Sequence, residues 1–114
     1  MATLGLLQAL LTALRSLHAQ ALRVGADDAA RALGIAFQQV RLEAKLHGAR
    51  RPPRLRTTVL AAPDSWLERR RLLDAILVEL SGAAAEAKNA GSACLPLLVE
   101  AQRALLRHRQ QDAA

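Results

Sequence analysis

Tyrosine is absent from this chain, and Phe37 and Trp66 are its only aromatic residues. Stacking platforms that read unpaired bases need several exposed rings, so single-strand recognition of that kind is disfavoured. β-Branched residues are scarce as well, which leaves little to build a sheet from. Cys94 is the one cysteine; no intramolecular disulfide can form, and nothing points to an oxidising compartment. No run of about 18 uncharged apolar residues occurs, because Arg15 interrupts the stretch that begins at Ala2, so a membrane span is not expected. The same stretch lacks the basic opening of a secretory signal. The expected compartment is therefore the cytoplasm. The segment before Asp27, the first acidic residue, is amphipathic and carries Arg15 and Arg23, a profile that also suits a mitochondrial presequence and makes the mitochondrial matrix the second expectation.

What is present favours helices. Leu and Ala dominate the 52% of apolar residues, and Arg, Gln and Glu supply much of the rest. These are strong helix formers, and 114 residues suffice to bury one core without staples. The fold class expected is all-α, one domain over 1–114. Apolar periodicity and caps mark four helices. The first spans about Thr3 to Val24 and stops at Gly25, with Leu22 counted in its apolar arc. The second starts with Asp27 or Asp28 as N-cap and ends at His47-Gly48. The third follows Pro63, with Ser65 and Glu68 at capping-box spacing, and reaches about Asn89. The fourth begins after Gly91 with Ser92 as cap, tolerates Pro96 in its first turn and frays near Arg109. Short turns at Gly25-Ala26 and Ala90-Gly91 require antiparallel neighbours. The architecture expected is a four-helix bundle of two antiparallel hairpins, 3–48 and 63–110, joined by a long basic loop at 49–62 that Pro52-Pro53 keeps non-helical.

Catalytic and metal chemistry find little support. His18, His47 and His108 fall on three different helices, and Cys94 has no partner at ligand spacing. Glu43 and His47, four residues apart, form the sole carboxylate–imidazole pair, and a surface charge pair near a helix C-terminus explains them without chemistry. His18 lies inside the leucine arc of the first helix, where a neutral core or boundary histidine is the plainer account. The serines lack a nucleophile context, and the scattered glycines form no phosphate-cradling loop. No enzyme, cofactor or metal is expected.

Charge and surface pattern are more informative. The net charge of +6 resides in residues 45–71, where Lys45, Arg50, Arg51, Arg54, Arg56, Arg69, Arg70 and Arg71 face only Asp64 and Glu68; the remainder is neutral. Such a segment attracts acidic protein surfaces or polyanions. The second helix carries two apolar stripes, Leu33-Ala36-Phe37-Val40-Ala44 on one side and Ile35-Leu42-Leu46 nearly opposite. A surface helix of a monomer needs one stripe, so the second meets a neighbouring helix or another chain. The function expected is a non-catalytic protein–protein interaction module, such as an adaptor, assembly factor or regulatory subunit. Its binding residues would be Ile35, Leu42 and Leu46 with Arg50, Arg51, Arg54, Arg56, Arg69, Arg70 and Arg71. The partner would be a protein, with acidic character a natural match, and a second copy of the chain is an alternative. A nucleic-acid-binding accessory protein that uses phosphate contacts is the second functional expectation.

Overall fold

The computed structural model describes residues 2–55 and 60–113. Four helices account for most of them: α1 (Ala2–Arg23), α2 (Asp27–Leu46), α3 (Trp66–Ala90) and α4 (Leu95–Ala113). No strand occurs among the described residues. The chain is all-helical because the apolar residues recur at helical spacing and close into one core. That core is built from aliphatic side chains, alanine, Phe37 and Cys94. Leu10, Leu11 and Leu14 of α1, Phe37 of α2, Leu73 of α3 and Leu105 of α4 are all fully enclosed.

α1 packs on α2 and α3, and α4 packs on the same two; α1 does not touch α4, nor α2 touch α3, among the described residues. Two ends can be followed. Leu7 of α1, Glu43 and Leu46 of α2, and Ala90 of α3 meet at one. At the other, Gly25 and Asp27 meet Ala104 and His108 of α4.

Local chemistry explains the helix ends. Gly25, Gly48 and Gly91 take the left-handed conformation, with φ of 74°, 100° and 67°. After each glycine, the next amide reaches back to a carbonyl of the final turn: Ala26 to Ala21, Ala49 to Ala44 and Ser92 to Ala87, all at 2.9 Å. That is the Schellman arrangement, for which glycine is preferred because it has no Cβ to clash at positive φ. α3 opens on Ser65, whose hydroxyl accepts from Glu68 N at 3.1 Å. Glu68 Oε2 answers by accepting from Asp64 N at 3.1 Å, one residue earlier than a standard capping box places it.

Three boundaries differ from expectation. The N-cap of α2 is Ala26, without a side-chain cap; Asp27 and Asp28 lie inside the first turn, where they stabilise the positive end of the helix dipole. α4 starts at Leu95 and not beside Ser92, and it continues past Arg109 to Ala113. Leu22 leaves the buried arc of α1, with 46% of its surface exposed, because α1 turns Ala21 and Val24 inward there.

Residues 47–55 and 60–65 are non-helical, and 56–59, including Arg56, lie outside the described residues. Pro52 is buried, and Ala49 and Leu55 pack against the core. Leu55 approaches Gly34 midway along α2, and the carbonyl of Ala61 accepts from Arg23 Nε at 2.7 Å at the end of α1.

Candidate partner-binding surface

α2 presents its main stripe to the core: Leu33, Ala36, Phe37, Val40 and Ala44 are fully buried. At 100° per residue, Ile35, Leu42 and Leu46 fall within about 40° of one another on the far side. The flanking helices α1 and α4 cover neither side far enough to reach them. Their exposures are 51%, 57% and 85%. Other large apolar residues remain uncovered among the described residues: Trp66, Leu67 and Val78 on α3, and Val99 and Leu106 on α4. Leu67 and Val78 stand eleven residues apart, too far to form a continuous stripe.

The arginines expected to act as one segment are divided by the fold. Arg50, Arg51, Arg54 and Arg71 are exposed. Arg70 is half-buried, its guanidinium carbon 5.6 Å from the centre of the Trp66 ring, a cation–π distance. Arg69 turns inward, and its Nη2 lies 2.6 Å from Nε2 of His108 on α4. A guanidinium can only donate, so His108 Nε2 supplies a lone pair and the ring proton sits on Nδ1. The carbonyl of Val24, 3.2 Å from the same nitrogen, is then a close neighbour and not its acceptor. Arg23 joins this end of the molecule through Ala61 and a weak ion pair with Glu68 at 4.0 Å. Arg69 therefore ties α3 to α4 and is not available in the way Arg50, Arg51 and Arg54 are.

Arg54 and Leu55 sit beside α2, where they line a cleft of about 350 Å³ with Gln38 and Arg41. Arg41 Nε is buried and takes no hydrogen-bond partner among the described residues. The cleft adjoins the exposed Ile35-Leu42-Leu46 ridge on one flank, which Arg31 and Lys45, both exposed, extend. The ridge and exposed cations thus share one face.

The remaining polar groups serve structure. Glu43 does not act through His47. Its carboxylate crosses from α2 to the start of α4, accepting from the Ser92 hydroxyl at 2.5 Å and from Ala93 N at 2.9 Å. Ser92 Oγ in turn accepts from Cys94 N at 3.2 Å. Glu43 therefore ties α2 to the turn that leads into α4, and its negative charge lies near the positive end of that helix. His47 is exposed and closes α2 through its backbone. His18 stacks where Gly34 leaves room: a Cβ at Gly34 would stand 3.5 Å from His18 Cδ2 and 3.7 Å from Leu55 Cδ1. Burial there lowers the His18 pKa from its ordinary value. Burial likewise raises that of the Cys94 thiol, Ser92 and Glu43 being its polar neighbours. Among the described residues, no three His, Cys, Asp or Glu side chains gather to hold a metal ion. No helix among them is long and apolar enough to cross a membrane. Comparison with protein-family models, with curated proteins and with solved structures finds no match for this chain.

Proposed function

We propose that the chain is a non-catalytic protein-interaction module: a four-helix bundle of two antiparallel hairpins, joined by a long basic connection, that binds a protein through the outer face of α2 and the arginines beside it. One observation carries this reading. Ile35, Leu42 and Leu46 stay exposed although the core is complete without them, Arg54 lines a cleft beside them with Gln38 and Arg41 of α2, and Arg50 and Arg51 are exposed a few residues after Leu46 in the chain. Aliphatic side chains left in water at helical spacing are anchors of the kind helix-in-groove recognition uses. Arginine adds directional hydrogen bonding to carboxylates at the rim.

The test is capture by in-cell crosslinking with the wild-type chain, with Leu42→Glu, and with Arg50, Arg51 and Arg54 all changed to Ala. A partner held by wild type and lost from both variants supports the reading. Partners unaffected by either variant sink it.

Nucleic-acid binding is the second reading, favoured by the concentration of the whole +6 in residues 45–71. It requires uniform small losses for each Arg→Ala change and a steep salt dependence on random duplex, with a log–log slope near −0.9 per phosphate contacted. A protein partner gives one or two dominant arginines instead.

A further inference from the structure

We infer that the occupant of the α2 ridge is an amphipathic helix of the partner with acidic residues along one flank; this rests on the protein-interaction reading above and names the partner's chemistry. The argument comes from the shape and charge of the two flanks. Ile35, Leu42 and Leu46 are spaced seven and four residues apart along one face of a 20-residue helix. That spacing suits a second helix lying alongside, because its own apolar residues would recur at the same period. The flank toward residues 47–55 is cationic. Beyond Asp27 in the first turn, Arg31 and Lys45 are exposed on it, and Arg41 and Arg54 line the adjoining cleft with Gln38 and Leu55. The opposite flank carries no cation of α2 at its centre: Gln39 is half-buried there, and the Glu43 carboxylate, held by Ser92 and Ala93, is an anion.

A partner helix that buries aliphatic residues on the ridge therefore meets the cations of α2 along one edge only, and carboxylates along that edge complete the match. The buried Arg41 Nε, without an acceptor among the described residues, marks where guanidinium hydrogen bonding is unfinished. A second copy of the chain fits poorly. Antiparallel pairing of two α2 helices would set one basic flank against the other, Arg31 near Lys45, and would bring together two chains of net charge +6. Duplex nucleic acid would satisfy the cations but leave the ridge in water.

The probe is a synthetic helical peptide matched to α2 in length, with leucines at heptad spacing and glutamates on one flank. Two control peptides replace either the leucines by serine or the glutamates by glutamine. Each is titrated into the isotope-labelled full chain, with affinity read by fluorescence anisotropy and location by amide shift mapping. We expect the probe to bind with an affinity on the order of 10 μM. Shifts should concentrate at Ile35, Leu42, Leu46, Arg41 and Arg54. The serine control should bind at least tenfold more weakly; the glutamine control should bind severalfold more weakly and lose its salt dependence.

Leu42→Ser with Leu46→Ser should abolish binding while leaving helicity unchanged, since both side chains are exposed. Arg54→Glu, on a non-helical residue, should weaken it independently. Equal binding of the serine control would show diffuse attraction and overturn the proposal, as would no binding at all. Shifts centred on Trp66 and Leu106 would also overturn it, yet leave the chain a protein-binding module. A ridge already covered by self-association, seen as a dimer by light scattering that Leu42→Ser dissociates, would overturn it in favour of a second copy.

Discussion

Replacing Glu43 by alanine should destabilise the protein far more than replacing His47, its neighbour one turn away. Glu43 accepts two hydrogen bonds across the gap between α2 and the start of α4. Hydrogen bonds to a charged acceptor contribute about 1.5–3 kcal/mol each when buried. The site is only partly enclosed, with Ala93 exposed and Ser92 buried, so about 1 kcal/mol per bond is the appropriate scale. The favourable placement of a carboxylate at a helix N-terminus adds about 0.5 kcal/mol. Together these give a loss of about 2.5 kcal/mol for Glu43→Ala. With an unfolding entropy of about 2.1 cal/mol/K per residue, that loss lowers Tm by roughly 10 °C. His47→Ala removes an exposed side chain at the end of α2 and should cost no more than about 0.5 kcal/mol. Urea unfolding followed by circular dichroism measures both. A double-mutant cycle with Ser92→Ala isolates the cross-helix pair and should return a coupling of about 1 kcal/mol. Equal losses for Glu43→Ala and His47→Ala, or zero coupling to Ser92, would refute the assignment of Glu43 as the tie between α2 and the turn before α4.

Gly82 lies inside α3 with open space where a Cβ would go, and at Gly34 that atom would make only ordinary contacts, so Gly82→Ala and Gly34→Ala should each stabilise by about 0.5–1 kcal/mol in thermal unfolding. Gly34→Leu should do the opposite, expelling His18 or Leu55 and exposing the α1–α2 groove to limited proteolysis. His18 has its pKa lowered by burial, so the unfolded chain binds its proton first; stability should decline as pH falls below about 6.5 and level off once pH is below the folded value. A His18→Gln variant should lack that component in urea titrations across pH 4.5–7.5, and parallel curves would dismiss it. Cys94 is fully buried with its thiol pKa raised, so it should resist a thiol reagent at pH 8 in the native protein and react at once in denaturant.

The sequence by itself determined the four helices and most of their ends. Glycines 25, 48 and 91, the Ser65–Glu68 spacing and the alternation of apolar stripes act through neighbours three to five residues away, and a chain's local geometry fixes those distances before any packing occurs. The Ile35-Leu42-Leu46 stripe was legible for the same reason. Whether water or another helix lay against it was not, because that depends on how far α1 and α4 wrap around α2. Only the tertiary structure could join Glu43 to residues 92 and 93, 49 and 50 positions along the chain. Arg69 and Arg71, two positions apart on α3, face opposite ways by helical geometry alone, but only packing could bring His108 of α4 against Arg69 while leaving Arg71 in solvent. His18 shows both levels at once: its place in the leucine arc of α1 is periodic and local, but Gly34 and Leu55, which close over it, come from other parts of the chain. Local pattern sets which face a residue occupies, and the surface brought against that face decides whether the residue is a cap, a core member or a contact for a partner.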